Sequence, residues 1–176
     1  MGYFLPEHRG MLRMSAALAE HIVAKETRCD VRDLYDVRTQ RESHEEEKEE
    51  GVFAKLVMLE PEVADMPNLY RVCVQDSQVI EFMRTRREVD LPSLLTFIMT
   101  HELVHIHRFA TGKASFFETE REEEEIYVDN LTRLFLAKNP LTGLKNVLTL
   151  LDKLEAAPLY SFTIFEDDRR SYNAYL

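Results

Sequence analysis

The amino-acid sequence predicts an α+β fold in which a β-hairpin or small sheet packs on long helices. Helical periodicity of apolar residues marks the beginning of the chain and everything after residue 90. Short runs typical of β-strands lie between these regions. A hydrophobic fraction of 45% with 31% charged residues is that of a globular protein, and 176 residues suit one domain.

We divide the chain into three parts that together are expected to form one compact domain. Residues 1–50 are expected to be an N-terminal helical segment with a charged linker, and residues 51–157 to be the core. Residues 158–176 form a tail of mixed tyrosines, phenylalanines and charges, which is expected to be either a strand packed on the body or a flexible end.

The N-terminal segment begins with an amphipathic pattern. Residues 7–26 carry apolar side chains at steps of three and four, which predicts a helix with one buried face. The residues of this stripe are Met11, Met14, Leu18 and Ile22. Residues 30–40 are expected to continue as a second, short helix. Residues 41–51 are almost wholly charged and predict a solvated helix end or a loop.

The strand predictions fall in the first part of the core. The apolar run 53–58 predicts one strand, and residues 69–74 alternate as a second strand would. After a turn, residues 79–83 are expected to be the returning strand, so that 69–83 forms a β-hairpin.

Three helices are expected after the hairpin. The first covers residues 91–110; it is apolar nearly all round, with Asp90 as its cap and Pro92 in its first turn. The second is expected from about 118 to 137, and the third from about 141 to 156, where apolar residues again fall on one face.

The predicted buried helix contains a His-Glu-x-x-His pattern at residues 101–105. Residues four apart on a helix lie on one face about one turn apart, so the imidazoles of His101 and His105 can bind one metal ion. Glu102 lies next to them, where it can accept a proton from a metal-bound water. The spacing therefore predicts a zinc site with Glu102 as its catalytic base.

The surroundings of the pattern favour a site over a chance match. Leu94 and Ile98 share the helical stripe of His101 and His105, and Ile106 continues the apolar character. Buried polar side chains without partners cost a few kcal/mol, about 1–3 in proteins, and a metal ion satisfies several at once. The competing interpretation is an exposed helix end with two incidental histidines.

A third ligand is needed for a catalytic zinc, and the next helix offers several carboxylates. Most glutamates in residues 118–125 are expected to be a solvated helix start. Glu124 lies on the stripe of Val128 and heads the buried face. Glu125 is followed one turn later by Asp129, which could orient a ligand histidine from outside the ligand set. Both glutamates remain candidates.

This arrangement resembles the gluzincin branch of zinc metallopeptidases. Nineteen residues, 106–124, separate His105 from Glu125, and Asp129 follows, which is similar to the spacing and Glu-x-x-x-Asp motif of thermolysin-like enzymes. The similarity covers about residues 90–137 and extends to the short intracellular ImmA/IrrE-like proteins. The metzincin extension is missing, because Arg108 stands where that pattern has its glycine.

The resemblance implies a zincin-like fold in which His101, His105 and Glu125 hold Zn²⁺, with Glu124 as the alternative ligand. It implies a hydrolase that cleaves peptide bonds in a peptide or protein substrate. The alternatives are a hydrolase of other amides, a metal-binding regulatory domain without activity, and a metal-free interaction domain whose acidic runs bind a basic partner.

Charge and composition exclude other classes. A net charge of −10 argues against nucleic acid and against an anionic membrane surface as partners. No apolar run approaches the ~20 residues of a membrane span, and the first residues lack the pattern of a secretory signal. Cys29 and Cys73 are isolated and are expected to be free thiols, so we expect a cytoplasmic protein.

Overall fold

The computed structural model describes residues 2–59, 69–141, 143–153 and 163–164, with only the backbone described for 150–153 and 163–164. Within these residues the protein has the predicted α+β composition, with five helices and a small mixed sheet. The helices are α1 (Pro6–Thr27), α2 (Asp76–Thr85), α3 (Leu91–Ala110), α4 (Arg121–Lys138) and α5 (Leu144–Lys153). The strands are β1 (Tyr35–Thr39), β2 (Ala54–Leu59), β3 (Leu69–Val74) and the two-residue β4 (Thr163–Ile164).

The sheet has the strand order β1-β3-β2-β4. β2 and β3 are antiparallel, with Ala54 opposite Val74, whereas β1 runs parallel to β3, with Tyr35 opposite Tyr70. β4 pairs with β2 in parallel. The strands predicted from runs 53–58 and 69–74 are therefore confirmed, but β3 finds its partners in β1 and β2.

The predicted hairpin is wrong, because residues 79–83 belong to helix α2. Val79 and Phe82 lie three residues apart and are buried, whereas Glu81 between them is exposed. That is the pattern of a helix packed on one side. A run of five residues is too short for its periodicity to separate this pattern from a strand.

The predicted second helix over residues 30–40 is also wrong. A single 3-10 turn at Arg32–Leu34 leads into strand β1. β1 carries residues that favour strands, Tyr35, Val37 and Thr39, and it pairs with β3 along its whole length. The N-terminal 50 residues thus contribute a strand to the sheet of the core.

Helix α1 is confirmed, and Ile22 of its predicted stripe is buried while Met11 and Leu18 are partly buried against the core. Met14 is the exception, at 76% exposed. The buried residues of α1, three of which are small, are Leu12, Ser15, Ala16, Ala19, Ile22 and Val23. Small side chains allow α1 to lie close along α3, and the Ser15 hydroxyl donates a hydrogen bond to the carbonyl oxygen of Pro92 at 3.1 Å.

The charged linker forms loops around a 3-10 turn, Glu45–Glu47. Glu47 is buried. Its charge is compensated because its carboxylate accepts a hydrogen bond from Arg71 of β3 at 3.0 Å. Arg71 also pairs with Asp36 of β1, so one guanidinium holds the linker and two strands together. The predictions for residues 154–157 and for the tail 158–176 lie outside the described residues, except for β4.

Helix α3 is the centre of the fold and was correctly predicted. Its N-terminus is capped by Asp90, whose carboxylate accepts a hydrogen bond from the Ser93 amide at 2.9 Å. α1, α4, α5 and β2 pack around α3, so that nearly all of its side chains are buried. None of the described helices is long and apolar enough to cross a membrane.

Candidate metal centre

The predicted site residues of α3 lie in the interior of the protein. His101, Glu102 and His105 are each 0% exposed. They are buried because α3 is surrounded by other elements, and a spacing of four residues directs both histidines toward α4. After the loop 111–120, α4 returns along α3 and brings Glu124 and Glu125 to these histidines.

Three side chains converge on one point. The Nε2 atoms of His101 and His105 are 3.1 Å apart. The Glu125 carboxylate lies across both, with Oε2 at 3.2 Å from His101 Nε2 and Oε1 at 3.4 Å from His105 Nε2. One ligand atom from each of the three lies within 4.8 Å of the others.

These distances fit a zinc ion. With Zn–N and Zn–O bonds of about 2.1 Å, neighbouring ligand atoms of a tetrahedral zinc lie about 3.4 Å apart. The three observed separations of 3.1, 3.2 and 3.4 Å are close to that value. Two imidazoles and one carboxylate are also a ligand set that zinc uses, with a fourth position left over.

The two candidate glutamates take different places. Glu125 faces the Nε2 atoms, whereas the Glu124 carboxylate is bound by Arg108 through two hydrogen bonds, Nε at 2.7 Å and Nη2 at 2.8 Å. Glu124 Oε1 also lies 3.6 Å from Nδ1 of His105, the ring nitrogen on the other side. The structure therefore brings Glu125, and not Glu124, to the convergence point.

Glu102 is a buried carboxyl group without partners. Neither of its oxygens has a hydrogen-bond partner among the described residues. Burial raises the pKa of Glu102 to about 8, and the negative charge of Glu125 adds to this, although the charge of His105 opposes it. A buried carboxyl group with a raised pKa and no hydrogen-bond partner is typical of functional sites, where a reactive group is kept although it lowers the stability of the fold.

The pKa values of the two histidines are shifted in opposite directions. Burial lowers the pKa of His101, and the Glu125 carboxylate opposes this only in part. Burial would also lower the pKa of His105, but contacts with Glu124 and Glu125 outweigh it and raise that pKa to about 9. In the metal-free protein the two carboxylates thus favour the protonated form of His105, whereas burial favours the neutral form of His101.

Asp129, expected outside the ligand set, lies one turn beyond Glu125 on α4. One of its oxygens accepts a hydrogen bond from Arg133 at 2.7 Å, and the other is buried. Its negative charge opposes, in small part, the burial that lowers the pKa of His101. Asp129 thus acts on the ligand histidine electrostatically while Arg133 holds its carboxylate.

Aromatic rings enclose the His105 side of the site. The ring of Phe109 stacks on His105 with centroids 5.8 Å apart. Phe109 also contacts Tyr70 and Phe116. Together with Met58 and the loop 112–119, these rings line an open pocket on the far side of Phe109.

Arg108 is a site residue that sequence reasoning missed. It follows His105 by three residues, on the same helical face, and a basic residue on a ligand stripe is a signal that it pairs with a buried carboxylate. Its guanidinium lies 4.0 Å from the centre of the Tyr127 ring, so Tyr127 packs on the ion pair.

Comparison of the chain with models of protein families, with curated proteins and with solved structures found no match. The gluzincin resemblance therefore rests on the residues of the motif and their spacing.

Proposed function

We propose that the protein is a zinc-dependent hydrolase of the metallopeptidase type. The observation that carries the proposal is the convergence of His101 Nε2, His105 Nε2 and the Glu125 carboxylate at separations of 3.1–3.4 Å, beside the buried carboxyl group of Glu102. A structural zinc site would use four protein ligands, whereas three protein ligands and a neighbouring carboxyl group favour catalysis.

His101, His105 and Glu125 would hold the metal. When bound, zinc supplies a Lewis acid that polarises a carbonyl group and lowers the pKa of water. The negative charge of Glu125 offsets part of the charge of the ion, and Asp129 adds a further negative charge near His101. Phe97 and Phe109 pack against the two imidazoles and restrict the orientations of the rings.

Glu102 would move the proton. A neighbouring dication favours the ionised form of a carboxyl group, so Glu102 becomes a base in the loaded protein. Its carboxylate accepts a proton from the water that attacks the peptide carbonyl carbon. It then gives that proton to the amide nitrogen as the carbon–nitrogen bond breaks. Because nothing else binds its oxygens among the described residues, Glu102 is available for both transfers.

The substrate class that we propose is a peptide or protein. An open pocket lined by Met58, Tyr70 and Phe109 shares the Phe109 ring with the metal centre, where that ring stacks on His105. Lys113 at its rim adds a positive charge to a chain with a net charge of −10.

The test of the proposal is metal content. The full chain without a His-tag is dialysed and its metals are measured by inductively coupled plasma mass spectrometry. We expect about one zinc per chain, which His101→Ala abolishes. His21→Ala is the matched control, because His21 is exposed on α1 and should keep the metal. A wild-type chain that takes up no zinc, even when zinc is offered, would overturn the proposal.

A second candidate function is a metal-binding regulatory domain without peptidase activity. The observation that favours it is the burial of the site: both histidines are 0% exposed and the Glu125 side chain is only 15% exposed. Such a centre is shielded from a large substrate. Stoichiometric zinc without cleavage of any member of a peptide library would support this function over the hydrolase.

A further inference from the structure

Glu124 is buried next to the metal centre, and the proposed metal site does not use it as a ligand. Its side chain is 1% exposed. Arg108 grips the carboxylate with two parallel hydrogen bonds at 2.7 and 2.8 Å, the fork geometry in which guanidinium and carboxylate pair best. A carboxylate held in this way cannot turn toward another partner without breaking a buried ion pair.

The Nδ1 atom of His105 faces this carboxylate. Nδ1 is buried, and no hydrogen-bond partner lies in range of it in the described part of the chain. Glu124 Oε1 lies 3.6 Å away, a few tenths of an ångström beyond hydrogen-bond distance. The adjacent residues Glu124 and Glu125 therefore bracket one imidazole, one carboxylate at Nδ1 and the other at Nε2.

A neutral imidazole has one proton for two nitrogens. If Nε2 binds a metal ion, the proton must be on Nδ1, and a buried N–H group requires an acceptor. A carboxylate that accepts this proton fixes the ring and makes Nε2 a stronger ligand. Glu124 is in position to do so after a small shift of the His105 ring.

We propose that Glu124 is a positioning residue, whose carboxylate accepts the Nδ1 proton of His105 and so directs Nε2 to the metal. Arg108 serves this role by fixing the Glu124 carboxylate. The inference rests on the proposed metal site. It gives a role in metal binding to Glu124 and Arg108, although neither residue is one of the proposed ligands.

The arrangement of the two helices supports this assignment. His105 and Arg108 are three residues apart on α3, and Glu124 and Tyr127 are three residues apart on α4, so the two pairs face each other. The Tyr127 ring covers the guanidinium, which strengthens the ion pair by limiting its contact with water. Histidine, glutamate and arginine thus form a chain of contacts that leads from the metal site outward.

The test measures zinc affinity by competition with a chelator, using the full-length chain. Glu124→Gln keeps the shape of the side chain but replaces the carboxylate by a weaker acceptor. We expect it to weaken zinc binding about 10- to 100-fold, the effect found for such partners elsewhere. Glu123→Gln is the matched control, since Glu123 is exposed on the same helix, and it should change the affinity less than twofold.

A spectroscopic signature separates positioning from a general loss of structure. In the zinc-loaded wild type, the Nδ1 proton of His105 should give a protected, strongly downfield resonance in long-range ¹H–¹⁵N spectra, because it is bound to a carboxylate. Glu124→Gln should move this resonance upfield or lose it by exchange. Circular dichroism and thermal unfolding establish that the variant is folded.

If Glu124→Gln fails to fold, Arg108→Lys carries the test. Lysine keeps the positive charge but loses the fork that fixes the carboxylate. We expect a few-fold loss of zinc affinity and a shift of the same resonance. A folded variant with unchanged affinity and an unchanged resonance would overturn the proposal while leaving the metal site intact.

Two further outcomes would also overturn the positioning role of Glu124. If Glu124→Gln abolishes zinc binding but Glu125→Gln retains it, Glu124 is a ligand, and the positioning role falls. If the wild type binds no zinc, the proposed function itself falls, and this inference falls with it. The two failures are distinguished by the wild-type protein alone.

Discussion

His101 and His105 bring their Nε2 atoms to within 3.1 Å of each other. Two nitrogen lone pairs repel at this distance, so without a metal one nitrogen must carry a proton and donate it to the other. The raised pKa of His105 favours this ring as the donor. In the metal-free protein a proton thus lies where the structure would place a metal ion, and zinc and protons compete for this position.

The first prediction is that the metal-free fold loses stability as pH rises from about 6.5 to 9. The folded-state pKa of His105 is raised from 6.5 to about 9, so its contribution is fully present below pH 6.5 and is lost as pH passes 9. For Glu102 the pKa is raised from 4.5 to about 8, so the folded state again binds more protons in this range. The expected total loss is on the order of a few kcal/mol.

Thermal unfolding in the presence of a chelator, at pH 6.5, 7.5 and 9, checks this. The zinc-loaded protein is the control and should depend less on pH, since metal replaces the proton between the two Nε2 atoms. A melting temperature of the metal-free protein that stays constant or rises over this range would contradict the prediction.

The second prediction concerns catalysis by Glu102. Glu102→Gln should retain about one zinc per chain but lose at least 99% of the turnover, because an amide cannot accept the proton of the attacking water. Zinc content and cleavage of a peptide library are measured on the same preparation. Full activity in this variant would remove Glu102 from the mechanism.

The third prediction follows from the cost of burying Glu102 without partners. Replacing it by an apolar residue of similar length, Glu102→Met, should stabilise the metal-free protein at pH 8 by about 1–3 kcal/mol. Denaturant unfolding of both proteins in chelator gives this difference. Equal or lower stability of the variant would mean that the carboxyl group has a partner in solution.

The metal helix could be predicted from sequence because all its signals are local. Asp90 and Pro92 mark its beginning, Leu94 and Ile98 define its buried stripe, and the spacing of the histidines is itself helical. Each signal lies within one or two turns of the residue that it concerns. The cap does not depend on how distant segments pair, and the apolar stripe already identifies the side that other elements cover.

The mispredicted elements depend on distant partners. β1 is a strand because it pairs with β3, more than 30 residues later, and parallel pairing of this kind leaves little trace in a short sequence window. Met14 fits the predicted helical stripe of α1 but is exposed. α3 instead packs against the small residues of α1, so the close approach of two helices decided which face is buried.

The choice between Glu124 and Glu125 could not be made from sequence for a related reason. Adjacent helical residues point about 100° apart, and the loop 111–120 sets which of them faces the histidines. In the structure Arg108 forms an ion pair with Glu124, and Glu125 faces the Nε2 atoms of both histidines. That distinction is a property of how α3 and α4 pack.

The fourth prediction concerns the two thiols. Cys73 is 0% exposed in β3, and burial raises its pKa to about 12, whereas Cys29 is partly exposed. The thiolate is the reactive form, so only Cys29 should react quickly with a thiol reagent at pH 8, and Cys73 only after unfolding. Cys29→Ser should abolish the fast phase. Two equally fast thiols in the wild type would contradict the placement of Cys73.

The last prediction concerns Gly143, which adjoins the cap of the metal helix. Its φ of +91° disfavours any side chain, and a Cβ atom there would overlap the Asp90 carboxylate and the Ser93 hydroxyl. Gly143→Ala should therefore cost the backbone strain of a positive φ, about 1–2 kcal/mol, and in addition about 1 kcal/mol for the displaced cap. Gly51→Ala is the control, since Gly51 has a φ of +82° and open space around it.

A double-mutant cycle isolates the part of the lost stability that comes from the displaced Asp90 cap. In an Asp90→Ala background no carboxylate remains to be displaced and only the overlap with the Ser93 hydroxyl is left, so Gly143→Ala should cost less there than in the wild-type background and come closer to the cost of Gly51→Ala. Denaturant unfolding of the four proteins of the cycle measures this coupling. If the two glycine substitutions have equal costs in the wild-type background, Gly143 does not support the cap, and α3 begins independently of α5.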